Sequence, residues 1–326
     1  MKRVGFFVVL LTLIVGMSVY AGGRQQPGFG EGEFRVAIAM TPLTNPFHRT
    51  MNRFIEEELA VLRVSHPHIH WTWYHSADTE AQVNNMELIL LGNYDGVLVS
   101  TFDGVLMAEP TARIHRTGTR VVVINRELET EEFDAFVSGD NVEGGRNVAR
   151  YMGNFLGGQG NVYIVGMALG TPIARDRSIG FREVMAREFP GITILGETEG
   201  EHNIVAGFTA MENILAAHPR IDAVYSHDPF SAMGQEQAIQ NAGRTDIRLI
   251  MACAPDLSVA RHMRANPNTI FRGNFAYPPA MAAEGIRTLV RLLEGQAVPR
   301  VSLLEAELLM IGDIDRWEHL VPDPDL

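Results

Sequence analysis

From Phe34 onward, short apolar runs alternate with amphipathic stretches, and this alternation constrains the fold more than any other feature of the chain. The runs are Phe34 to Met40, Ile69 to Tyr74, Gly96 to Val99, Arg120 to Ile124 and Phe136 to Ser138. Five more follow: Asn161 to Val165, Ile192 to Leu195, Ala223 to Ser226, Leu249 to Ala252 and Ile270 to Arg272. Each has strand length and most are rich in Val and Ile, as strands buried on both faces of a parallel sheet must be. The stretches between them carry helix signals. Asn45 precedes Pro46, and proline suits a first helical position because its missing N–H would be unpaired there anyway. Asn141 can cap a helix running toward Leu156, with Gly157-Gly158 as its stop. Strand, helix, strand, helix gives an α/β fold with a doubly wound parallel sheet, and the strands outnumber what one such sheet needs. The pattern restarts near Gly139-Asp140, so two lobes are expected. Ligands of open α/β sheets gather at the carboxyl ends of the strands, and two lobes with those ends facing make a cleft.

Several functions are excluded. A 46% hydrophobic fraction with 20% charged residues supplies real cores and rules out wholesale disorder. Lys plus Arg number 27 against 39 acids, a balance of −12, and no basic stripe gathers for a phosphate backbone, so no nucleic-acid partner is expected. One cysteine, Cys253, allows neither an intramolecular disulfide nor a multi-cysteine metal site. No Gly-x-Gly-x-x-Gly joins a strand to a helix, since Gly28, Gly30 and Gly32 precede the first run. There is no Gly-Lys-Ser/Thr loop and no Gly-x-Ser-x-Gly elbow. No enzyme and no cofactor is therefore expected. His66, His68, His70 and His75 form the tightest histidine cluster, but they fall at a helix-to-strand turn, away from the strands' carboxyl ends, and read as a solvated edge rather than a metal site.

The amino end reads as a signal peptide over residues 1–21: Met1-Lys2-Arg3, an apolar run from Val4 to Val19, and small residues at Ala21-Gly22-Gly23. Cleavage after Ala21 would remove Lys2 and Arg3 and no acid, leaving −12 − 2 = −14. An uncleaved anchor is the alternative, since the run is just long enough to span a bilayer. Residues 22–33, rich in Gly and Gln, read as a flexible leader. Export to the periplasm is expected.

The strand ends carry polar and aromatic segments: Thr41-Pro42-Leu43-Thr44-Asn45-Pro46-Phe47, Asn125-Arg126-Glu127, Ser138-Gly139-Asp140-Asn141, and Gly170-Thr171-Pro172-Ile173-Ala174-Arg175-Asp176-Arg177. Ala216-Ala217-His218-Pro219 before Ala223-Val224-Tyr225, and Gln240-Asn241-Ala242-Gly243, join them. Together these resemble the periplasmic sugar-binding proteins of bacterial ABC transporters, the ribose-binding family in particular, from Phe34 to about Met310. The resemblance implies two lobes joined by three hinge crossings: residues 34–138 with 277–305, and 139–276 with 306–326. It implies a monomer, without cofactor or metal, that captures a sugar or sugar-like molecule and delivers it to a membrane ABC permease. A co-receptor of the same fold for a chemoreceptor or sensor kinase stays open. A repressor effector domain resembles the fold too, but needs a DNA-binding helix pair where the signal peptide stands. An exported enzyme using His48, His202 or His227 with Asp228 as acid and base is a further reading.

Carried over residue by residue, the resemblance puts ring-stacking positions on Phe47 and His48, with Thr41 and Asn45 nearby as hydrogen-bond formers. An Asp-Arg pair falls on Asn125 and Arg126, the arginine of an Ala-Arg-x-Arg segment on Arg175, an aromatic position on His202, and an Asn on Asp228. A family Asp aligns with Cys253 and the family's final Gln with Ala276. Phe47, directly after a strand, suits a cleft wall, and the arginine forks of Arg126 and Arg175 match paired hydroxyls or a carboxylate. Asn125 and Asp228 suit ligand contact or helix capping equally. Counting Arg126 and Arg175 against Asp228 alone leaves a positive cleft, which would favour a sugar acid or another anionic polyol. Asp256, three residues beyond Cys253, could restore the missing charge.

Overall fold

The structure, a computed structural model, describes residues 32–43, 46–101, 103–167, 171–254, 256–266 and 268–320. The signal segment expected over residues 1–21, and the leader as far as Glu31, lie outside the described residues. The first sheet holds β1 (Phe34–Met40), β2 (Ile69–His75), β3 (Gly96–Ser100), β4 (Arg120–Ile124) and β5 (Ala135–Gly139). The second holds β6 (Gln159–Gly166), β7 (Gly191–Glu199), β8 (Ala223–Ser226), β9 (Leu249–Cys253) and β10 (Phe271–Phe275). Two late strands are divided between them: β11 (Val301–Leu304) joins the first beside β5, and β12 (Leu308–Met310) joins the second beside β10. Their orders are β11-β5-β4-β3-β1-β2 and β12-β10-β9-β8-β6-β7. All pairings are parallel except β12 on β10, which is antiparallel.

The central strands are continuous apolar runs because helices cover both of their faces. Val97 to Val99 and Val121 to Ile124 are entirely buried. On the first sheet, α1 (Pro46–Ser65) packs with α9 (Met281–Leu293), which also lies against β3, β4 and β5; α2 (Thr79–Gly92) and α3 (Ala108–Arg116) pack together and reach β1 and β4. On the second sheet, α4 (Asn141–Phe155) pairs with α5 (Pro172–Glu188), and α6 (Ile204–Ala217) with α7 (Pro229–Asn241), while α8 (Leu257–Ala265) packs on α7 and on the final helix, α10 (Ile314–Leu320). The chain passes between the sheets three times: from β5 into α4, from β10 into α9, and from β11 to β12.

Two local features set up the cleft. The residue capping α4 is Asp140, not Asn141: Asp140 is extended and its Oδ1 accepts from the Glu143 N–H at 2.8 Å. Asn141 becomes the first helical residue, with its side chain left for another partner. The pair α4 and α5 then meets backbone to backbone. A Cβ on Gly145 would collide with the Arg177 carbonyl, and one on Gly180 with the Val142 carbonyl, so glycine is required at both. That close approach presses Arg177 of α5 against the start of α4.

Candidate functional site

A cavity of about 320 Å³ opens between the two sheets, at the carboxyl ends of β1 and β4 on one side and of β6 to β10 on the other. From the first lobe come Pro46, Phe47 and His48 in the first turn of α1, and Asn125 and Arg126 directly after β4. Asn125 adopts φ +73°, a left-handed conformation that asparagine tolerates better than most residues. It is buried and clipped in place: its carbonyl accepts from Ser138 Oγ at 3.0 Å and from the Tyr277 hydroxyl at 2.9 Å, and its Oδ1 lies 3.1 Å from the same hydroxyl. Tyr277, in the crossing after β10, also places its ring 5.5 Å from that of Phe47. His48 is almost fully buried, with Nδ1 3.1 Å from the Pro42 carbonyl. Burial first, and with it the nearby Arg126 charge, outweigh the Pro42 bond and hold its pKa down to about 4, so the ring is uncharged at neutral pH. Burial likewise lowers the pKa of Arg126, which stays charged nonetheless.

The second lobe contributes groups already bonded to one another. Arg177 is 3% exposed; its Nε donates to Asn141 Oδ1 at 3.0 Å and its Nη1 to the His227 carbonyl at 2.7 Å. Its guanidinium carbon lies 5.1 Å from the centre of the Phe275 ring and 5.3 Å from that of Tyr277, within cation–π range. His227, after β8, is buried, and burial followed by the Arg177 charge keeps its pKa well below the ordinary value. Asp228 caps α7 through Ser231 N at 2.8 Å, and its Oδ2 accepts from His202 Nδ1 at 2.9 Å. Asp256 lines the same cavity while capping α8 through Ser258 N.

Six of the ten residues expected at the site line this cavity: Phe47, His48, Asn125, Arg126, His202 and Asp228. Asn45 lies outside the described residues. Thr41 and Cys253 are fully buried and are not in the lining; Cys253 donates to the Tyr225 hydroxyl at 3.3 Å, and burial pushes its thiol up to about 11. Arg175 is also displaced. Its side chain is 53% exposed, bonded to Asp176 at 2.7 Å and 3.7 Å from Glu127 across the cleft, so Arg177 is the arginine of that segment facing the cavity. Helical periodicity carried the signal. Ile173, Arg177 and Phe181 share one buried face at i, i+4, i+8, whereas Arg175 falls on another. Tyr277 was missed because the apolar run read there stopped at Arg272, short of the end of β10, whereas His227, offered by the sequence as an acid–base candidate beside Asp228, lines the cavity directly after β8. The histidine cluster lies elsewhere: His66 pairs with Glu294 at 3.2 Å and His70 with Glu33 at 3.7 Å. Among the described residues no three ligand-type side chains converge on a metal-sized site.

Comparison with known proteins places this geometry. The chain is 26% identical over 223 residues to the ribose import binding protein of Bacillus subtilis, 67% of this chain and 69% of that one. It is 26% identical over 223 residues to the D-allose-binding periplasmic protein of Escherichia coli, 66% and 71% of the two chains. The crystal structure described as a periplasmic ribose ABC transporter from Conexibacter woesei superimposes with a TM-score of 0.79 at 20% identity, over 90% of this chain and 97% of that one, which shows a shared fold. A family profile described as a periplasmic binding protein domain matches residues 36–297, and the chain belongs to that family.

Proposed function

We propose that this chain is an exported solute-binding protein that closes on a neutral sugar or sugar-like polyol and delivers it to an ABC permease in the membrane. The observation that carries this reading is the cavity itself: a space between two sheets, walled by an aromatic ring, two guanidinium forks and uncharged imidazoles. Rings pack on the apolar faces of sugars, and forks engage adjacent hydroxyls. Contacts from both lobes to one ligand favour the closed arrangement over an open one, so capture is a population shift with no chemical step. The family is one of binding proteins, and the names of the relatives above include ribose and allose.

The lining charges support a neutral ligand rather than the anionic one expected from the sequence. Arg177 stands where Arg175 had been counted, and Asp256 joins Asp228, which makes two cations against two carboxylates. An anion would enter a site already balanced, at the cost of its own desolvation. Under this reading residues 34–138 with 277–305 form one lobe and 139–276 with 306–326 the other, the protein acts as a monomer, and its signal peptide is cleaved after Ala21. A thermal-shift panel of D-ribose, D-allose, D-glucose, myo-inositol, gluconate and galacturonate tests it. A neutral member should raise the midpoint by about 5 °C at a hundredfold excess over Kd. A response to the acids alone would overturn the charge assignment, and no response to any member would overturn the sugar reading.

A further inference from the structure

We infer that Asp228 locks His202 in the tautomer that presents Nε2 as a hydrogen-bond acceptor to a ligand hydroxyl, making the two residues a specificity-determining pair. The inference rests on the sugar reading and deepens it. His202, between β7 and α6, lines the cavity with 43% of its side chain exposed, and its Nδ1 is 2.9 Å from Asp228 Oδ2. A carboxylate only accepts, so the proton sits on Nδ1 and the neutral ring keeps its lone pair on Nε2. Asp228 cannot swing away. It is buried, its backbone is extended at the start of α7, and its other oxygen holds the Ser231 N–H.

The need for such an acceptor follows from the rest of the lining. Arg126 and Arg177 can only donate. The other acceptors of the lining already hold a donor, the Asn125 carbonyl with Ser138 Oγ and the Tyr277 hydroxyl, each Asp228 oxygen with one N–H and Oδ1 of Asp256 with Ser258 N, while Oδ2 of Asp256 carries a charge. Every ligand hydroxyl brings one proton that needs an acceptor once water is expelled. Nε2 of His202 supplies an uncharged one beside the two carboxylates. The aromatic position carried over from the resemblance thus works here as a polar contact.

Asp228→Asn separates this role from a structural one. Asparagine caps helices as well as aspartate does, so Ser231 keeps its partner. Its amide nitrogen would donate to Nδ1, forcing the ring proton onto Nε2. The probe is whichever of D-ribose, D-allose and myo-inositol most raises the wild-type midpoint, followed by calorimetry at pH 8 and nitrogen-15 NMR of the His202 ring. Asp228→Asn should bind roughly tenfold more weakly, move the ring proton from Nδ1 to Nε2, and melt within about 2 °C of wild type without ligand. His202→Phe, which fills the space without an acceptor, should lose affinity alike. Wild-type affinity in both variants would overturn the inference. So would a loss of affinity in Asp228→Asn with the ring proton still on Nδ1, or one that merely tracks a fallen midpoint. If none of the three sugars shifts wild type, the sugar reading fails first and takes this inference with it.

Discussion

The second lobe brings to the cavity side chains bonded across several elements, whereas the first brings groups from one helical turn and one bend. Arg177 is tied to α4 through Asn141 and to the end of β8 through the His227 carbonyl, and His202 is tied to α7 through Asp228. Phe47 and His48 instead sit in the first turn of α1, and Arg126 on the bend after β4. Asn125 is held by Ser138 and by the Tyr277 hydroxyl of the hinge crossing. Groups that hold one another lose little freedom when a ligand arrives, and they also help to hold the fold. Removing Arg177 should therefore damage binding and stability together, and removing the part-buried Phe47 should damage mainly binding.

Arg177→Ala should show the largest effect. It leaves Asn141 Oδ1 and the His227 carbonyl without their donor and removes a ligand fork, so affinity should fall about a hundredfold and the fold should lose about 3 kcal/mol. Titration calorimetry beside chemical denaturation reads both quantities, and a binding loss with unchanged stability would break the contrast between the lobes. Acid comes next. The unfolded chain protonates its histidines near 6.5, but His48 does so only near 4 in the folded protein, and His227 is also held well below its ordinary value. Stability from the neutral rings is thus complete above about pH 6.5 and is lost as pH falls toward 4, about 3 kcal/mol of it from His48. Denaturation at pH 7 and pH 4.5 should show that loss reduced in His48→Gln; an equal loss in the variant would place the acid sensitivity elsewhere.

Phe47→Ala tests the first lobe. Affinity should drop roughly tenfold through the lost ring contact, with a midpoint within about 3 °C of wild type, since the side chain is only partly buried. A large fall in midpoint would mean that Phe47 belongs to the core beside Tyr277 more than to the ligand. Arg175→Ala should do least. Its partners Asp176 and Glu127 form exposed pairs, worth at most about 1 kcal/mol. A change in affinity beyond about fivefold would return Arg175 to the binding site.

Much of the fold was written in the alternation of apolar runs, because strands covered on both faces leave a continuous pattern. Phe34–Met40, Arg120–Ile124 and Ala223–Ser226 coincide with the runs read from the sequence. The strands β11 and β12 left no such run: they are four and three residues long, on sheet edges, with Val301 and Leu303 each 52% exposed. At the cavity, residues just after a strand were legible, as Asn125, Arg126 and Asp228 are, and Phe47 was legible from the Asn45-Pro46 helix start beside it. The choice between Arg175 and Arg177 depended on which helix face meets α4, and that was set by the glycine contacts at 145 and 180. Cys253 sits one residue too early, since β9 runs through it and the cavity is reached only at Ala254 and Asp256.

Mass spectrometry of small molecules released from protein purified without added sugar bears on all of this at once. Release of a neutral monosaccharide or polyol, restored to the stripped protein with a rise in its melting midpoint, is the expected result. Recovery of an anionic metabolite that binds again where neutral sugars do not would contradict both the balanced cavity and the sugar reading built on it.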